Sequence, residues 1–163
     1  MDIISILLII HIIVGIICLL TGTLALFVKK KKGSHTIIGE VYHGGYVVIF
    51  ITSLAMAIMN WSESSYLFYI ALFSYGLALF GYLARKLRWR NWLNKHIAGM
   101  IGSYIGIITA TLVVNGSKIP LVNEIPVLLL WFIPTLIGTP IIIIVSRRYS
   151  NPVSSRRKTA NPL

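Results

Sequence analysis

A chain of 163 residues that is 56% hydrophobic and only 12% charged departs from the soluble norm of about 45–50% apolar and about 25% charged residues. Its apolar runs match the roughly 20 residues that cross a bilayer, which excludes a soluble globular domain and points to an all-α integral membrane protein. The formal net charge of +11 raises nucleic acid as a partner, but no aromatic-studded basic patch accompanies it. No nucleic-acid partner is expected.

Five transmembrane helices are predicted: Ile3–Val28, His35–Met59, Tyr66–Ala84, His96–Val114 and Ile125–Val145. The links are too short for a second domain. Residues 1–148 read as one transmembrane domain, and residues 149–163 as a basic tail whose Arg, Ser, Asn and Pro content predicts disorder.

The first span begins with Asp2, runs apolar, and is followed by Lys29–Lys32. That is the reverse of a secretory signal, so an uncleaved helix is expected. Positions three, four and seven apart share a helix face, which gathers His11, Gly15, Cys18, Gly22 and Ala25 into one stripe. Small residues at this spacing suit close helix packing in lipid. Cys18 is the single cysteine, and packing rather than redox chemistry is its expected role. A neutral, hydrogen-bonded His11 is the economical reading.

Basic residues cluster at alternate loops. Lys29–Lys32 follow span one, Arg85–Lys95 follow span three, and Arg147–Lys158 follow span five. Lys118, with Asp2, Glu63 and Glu124, falls on the other side. By the positive-inside rule the N-terminus is outside, the C-terminus cytoplasmic, and the location a cell membrane. The lipid bilayer and its anionic headgroups are the expected partners.

In span two, His35, Gly39, Tyr42 and Tyr46 lie within about 40° of one another, with His43 at the margin and Glu40 further round. Span three holds Ser74, Tyr75, Gly76, Gly81 and Tyr82 and no ionisable residue before Arg85. In span four, His96, Met100, Ser103 and Ile107 align, with Tyr104 beside them. Span five is almost without polar features, and Pro134 and Pro140 suggest kinks. His35 follows Lys32 by three residues and His96 follows Lys95 by one. Their depths should therefore differ by only about 3 Å, so both imidazoles would face one shallow site if the helices meet.

Three chemistries compete for that site. The first is a haem b or metal held by His35 and His96, with Tyr42, Met100, Ser103 and Tyr104 in support, and a quinone or redox protein as partner. Membrane cytochromes place such ligand pairs on neighbouring helices, although these two histidines lie close to the membrane edge. His11 and His43 make no second pair, being about 12 Å apart in depth. Two histidines alone would leave a metal incompletely ligated. The second is an anion or lipid-headgroup cradle of Ser34, Lys32, Arg90 and Lys95 at two helix N-termini; the lysine run lacks P-loop spacing. The third is a proton or substrate path through His11, Glu40 and His43, in which Glu40 and His43, three apart, can pair. No nucleophile–base–orienter set and no zinc spacing is present, so an enzyme without a cofactor is not indicated.

Three segments carry a family resemblance: "HIIVGIICLLTGTLAL" from His11, "KGSHTIIGEVY" from Lys32 to Tyr42, and "WLNKHIAGMIGSYIG" from Trp92 to Gly106. Over most of residues 8–148 the chain resembles the bacterial membrane family catalogued as domain of unknown function 2306. Its pattern joins a lysine–glycine turn and histidine, here His35 with Gly39, to a later H-x-x-x-M-x-x-S-Y, here His96, Met100, Ser103 and Tyr104. Members often have a further histidine in the third helix, where this chain has Tyr69 or Ser74. The resemblance implies importance for His35 and His96 and no particular activity.

Overall fold

The computed structural model describes residues 2–29 and 33–150. It is all helical, with α1 Ile3–Phe27, α2 Ser34–Met59, α3 Trp61–Lys86, α4 Trp92–Asn115 and α5 Val127–Ser150, plus a short 3-10 turn at Gly116–Lys118. Five of these elements are long and apolar enough to cross a membrane. In hydrocarbon backbone N–H and C=O groups must find partners, and helices of 24 to 26 residues supply them along their length, except where Pro134 and Pro140 inside α5 bring no N–H to donate. Thr21, Thr23, Thr52 and Thr111 return their hydroxyls to the carbonyl four residues earlier, so these polar side chains add no unsatisfied group.

The boundaries differ from the apolar runs where polar residues continue a helix. Helix α3 begins at Trp61, through the polar Ser62–Ser65 segment, and only Asn60 separates it from α2. The Asn60 N–H bonds to Met56 while its carbonyl accepts from Ser64, so one residue serves both ends. Helix α5 carries on to Ser150 and takes up the first residues of the basic tail; residues 151–163 lie outside the described residues. Gly33 opens α2 at φ 112°, a conformation that disfavours any side chain, and its carbonyl receives the first amides of the helix, Thr36 and Ile37.

Helices α1 to α4 form a ring in chain order, closed by a thinner α4–α1 seam, and α5 packs on the outside of α4. Helices α2 and α4 therefore face each other diagonally. Lipid tails are as apolar as leucine, so close van der Waals packing and hydrogen bonds hold such a ring together. The tightest crossing is α3 on α4. A Cβ on Gly99 would stand 2.6 Å from Gly81 Cα, and one on Gly81 would stand 2.8 Å from the Met100 nitrogen. Gly106 meets Ser74 in the same seam, beside the fully buried Ala78.

Helix α1 exposes most of its isoleucines and buries Cys18 and Gly22. Gly45 of α2 gives Cys18 its space, and Gly22 admits the rings of Tyr104 and Tyr42, whereas Gly15 has nothing within 4 Å of its Cβ position. The small-residue stripe is thus a seam from Cys18 onward and open at Gly15. Helix α5 seats Leu130, Pro134 and Gly138, all buried, with Gly138 accommodating Ile105 of α4.

These contacts separate glycines by consequence. Gly99→Ala is expected to destabilise by about 1–3 kcal/mol, because the clash is with backbone that cannot rotate away. Gly44→Ala, where a Cβ meets open space, should be neutral or stabilising by up to about 1 kcal/mol from helix propensity. Reversible denaturation in detergent micelles compares the two; equal stabilities would contradict the close α3–α4 crossing.

Candidate functional site

The diagonal between α2 and α4 is bridged by side chains. Ser103, fully buried, donates its hydroxyl to the Met100 carbonyl at 2.9 Å. Its single proton is thereby used, so the Tyr42 hydroxyl is the donor across the 2.9 Å contact to Ser103 Oγ. Tyr46 donates to the Ser103 carbonyl at 3.0 Å. Tyr42 and Tyr46 are 2% and 3% exposed and meet edge to face at 5.6 Å. Tyr104 reaches the other way, donating to the Leu19 carbonyl of α1 at 3.1 Å and lying 2.6 Å from Thr23 Oγ1. A phenol is long enough to cross a bundle that the backbones do not.

On the basic-loop side of these bridges the ring holds a cavity of about 310 Å³. Helix α2 contributes His35, Thr36, Gly39 and Tyr42, and α4 contributes His96, Met100 and Tyr104. The two histidines therefore do share one site, although their helices form no backbone seam with each other. His96 Nδ1 donates to the Gly81 carbonyl at 3.0 Å, which in the neutral ring puts the lone pair on Nε2. Ser103 and Tyr46 belong to the bridge and not to the cavity wall.

The cations at the cavity are other than expected. Arg85 and Arg88 line it; Arg85 donates to Thr36 Oγ1 at 3.1 Å, and Arg88 lies over the Trp92 ring at 4.6 Å. Lys95 instead covers the Trp89 ring at 5.6 Å, Arg90 and Ser34 are not on the wall, and Lys32 lies outside the described residues. The cause is the tight α3–α4 turn. Arg88 and Asn91 adopt positive φ of 51° and 57°, Trp89 N–H bonds to Ala84, and Trp92 N–H bonds to Trp89. This turn folds Arg88 and Trp92 back beside Arg85. Helical periodicity carries no signal for it, because the turn lies between two periodic segments.

The third group of residues is divided. Glu40 reaches α3, where Tyr82 donates to its Oε2 at 2.9 Å and Lys86 Nζ stands 3.1 Å from Oε1. The pairing with His43 that the spacing allows gives way to this arrangement. His43 lies flat on the Tyr82 ring, with centroids 3.9 Å apart and planes 1° apart, and Nδ1 is buried with no hydrogen-bond partner among the described residues. His11 bonds Thr52 Oγ1 at 2.9 Å, further along the bundle toward the end opposite the basic loops. Glu40 and His43 are thus joined through Tyr82, and His11 is apart from them. Tyr82, Arg85, Arg88 and Trp92 are the site residues that periodicity did not single out.

Fold and site together define a five-helix, multi-pass membrane protein with a histidine- and arginine-lined cavity near its basic loops. Comparison with protein-family models, with curated proteins and with solved structures finds no match.

Ser103→Ala removes the acceptor of Tyr42 and is expected to cost about 1–3 kcal/mol, the range for a buried donor left unpaired. Tyr42→Phe added to that variant should restore part of the loss, since no donor then remains. Denaturation of the two single variants and the double variant measures the coupling; strictly additive losses would refute the bridge.

Proposed function

We propose that this is a small redox-type membrane protein that holds a haem b between His35 of α2 and His96 of α4. The observation that carries the reading is that two imidazoles from diagonal helices line one cavity, the arrangement by which helical bundles grip a cofactor through facing side chains. Three features of the wall suit the group. A Cβ added at Gly39 would meet nothing within 4 Å, so no neighbouring atom crowds the wall one turn from His35. The Gly81 carbonyl orients His96 through Nδ1–H, which favours Nε2 as a ligand atom and raises its basicity. Arg85 and Arg88 offer bidentate partners to carboxylates such as propionates.

Each residue then has a role. His35 and His96 ligate, the Gly81 carbonyl fixes one tautomer, and the two arginines hold acid groups near the membrane surface. Tyr42, Met100 and Tyr104 close the wall toward the bilayer centre and exclude water. A haem so held supplies one-electron transfer, and its partners would be a membrane quinone or another redox protein. By the positive-inside rule the basic end faces the cytoplasm, with the N-terminus outside, in a cell membrane. The resemblance to the domain of unknown function 2306 family singles out the same two histidines.

A second reading has its own support. Arg85 and Arg88 on the wall suit a non-redox protein that binds an anionic ligand or lipid headgroup. The absorption spectrum of protein purified from haem-replete cells, before and after dithionite, separates the two. A Soret band that sharpens on reduction is expected, abolished in His35→Ala and in His96→Ala and kept in His11→Ala. A featureless visible spectrum from pure, folded protein would end the haem reading.

A further inference from the structure

Among the described residues, one side of the cavity is not closed by a helix-to-helix seam. Ala25 and Leu26 of α1 and Val145 and Tyr149 of α5 all line it, yet α1 and α5 form no seam with each other among the described residues. The nearest seam is the thin one between α1 and α4. It is held at Gly22, Leu19 and Thr23 by Tyr104, on the bilayer-centre side of Ala25. Between α1 and α5 the wall behind this opening is apolar, made by Ile97 and Ile101 of α4. At the cavity's basic-loop end stand Arg85, bonded to Thr36 of α2, and Arg88. Helices α1 and α5 otherwise turn isoleucines and leucines outward, as surfaces facing lipid tails do.

A water-soluble ligand would enter from the loops and gain nothing from an apolar flank. We propose that the cavity is entered sideways from the bilayer, between α1 and α5, by an amphiphile. Its apolar body lies against Leu26, Ile97, Ile101 and Val145, and its carboxylate or phosphate is taken by Arg85 and Arg88. This rests on the reading of the cavity as a ligand site, and holds whether the amphiphile is a haem with its carboxylates or an anionic lipid with its phosphate. Arginine's planar fork matches either acid group in bidentate fashion, and Arg88 lies over the Trp92 ring at 4.6 Å on the cavity wall.

Trp92 is also the reporter. The chain has four tryptophans, and the triple variant Trp61→Phe, Trp89→Phe, Trp131→Phe leaves Trp92 alone at the cavity. In vesicles, its fluorescence is titrated with haemin against haemin dimethyl ester. Separately, it is compared in tail-brominated phosphatidylglycerol and tail-brominated phosphatidylcholine. The expected result is saturable quenching by at least one acidic probe, with a preference over its uncharged or zwitterionic counterpart. Arg85→Gln with Arg88→Gln should cut that preference by about tenfold or more, given roughly 1 kcal/mol per basic residue near a membrane surface. Ala25→Phe with Val145→Phe should slow the quenching severalfold by narrowing the entrance. Lys29→Gln with Arg90→Gln, basic positions off the wall, should change neither.

The sources separate cleanly. Haemin quenching with a Soret band supports both readings, and phosphatidylglycerol quenching without any haem uptake keeps the sideways site while ending the haem reading. Equal quenching by acidic and neutral probes, or quenching untouched by the arginine pair or by the Ala25 and Val145 pair, overturns the proposal. If the triple variant fails to fold, native mass spectrometry of the wild-type chain and the arginine double variant reads the same preference from retained lipid or haem. Equal retention would again overturn it.

Discussion

The contact on which the rest of the molecule depends is the meeting of α3 and α4 at Gly81 and Gly99, backbone against backbone. In lipid there is no aqueous alternative to drive helices together, so stability comes from how closely surfaces fit and from hydrogen bonds between them. The absence of two side chains does more here than shorten a distance. It brings the Gly81 carbonyl within 3.0 Å of His96 Nδ1, so the same approach that joins the helices also sets the orientation of a site residue. A carbonyl already accepting its helical N–H retains a second lone pair. The histidine therefore costs the helix nothing.

With α4 fixed against α3, the diagonal to α2 is too wide for backbone contact, and the fold fills it with tyrosines. Tyr42 and Tyr46 are rigid, long and amphipathic; each buries a ring and ends in a donor that must find an acceptor. Ser103 supplies two acceptors, Oγ and its own carbonyl. These struts hold the diagonal open as well as closed. Where they stand, the bundle is solid, and one to two turns toward the basic loops, where Gly39 and His35 replace the tyrosines on the same α2 face, it is hollow. The cavity is thus a consequence of one stripe that changes from large to small along a single helix.

That stripe is legible in the sequence. Residues sharing a face are fixed by helical period alone, so spacing by itself groups His35, Gly39, Tyr42 and Tyr46, and likewise His96, Met100 and Ser103. The five spans are legible for the same reason, since length and apolarity are local properties. What periodicity cannot give is which faces meet. Glu40 has a histidine three residues away on its own helix, yet its partners are Tyr82 and Lys86 of α3. Arg85 lines the cavity from the last turn of α3 and Arg88 from a turn with two left-handed residues, whereas Arg90, nearer to His96 in sequence, is not on the wall. The start of α3 at Trp61 is hidden because a helix end in the interfacial region tolerates the serines and Glu63 that end an apolar run.

The electrostatics of the cavity bear on what it can hold. Arg85 and Arg88 line it, and the N-termini of α2 and α4, both at this end, add partial positive charge. Among the described residues no cluster of three or more His, Cys, Asp or Glu forms a metal site, and the nearest carboxylate, Glu40, is already paired with Lys86. A bare divalent cation entering here would meet two guanidiniums with Glu40 already engaged by Lys86, and like charges repel more strongly in an enclosed site than in water. A metal arriving inside an acidic organic ligand meets the reverse situation, because its own carboxylates neutralise the arginines while the histidines remain for the iron. The positive field thus disfavours a naked ion and favours an occupant that brings its own negative charge, a property that a haem and an anionic lipid share and a free cation lacks.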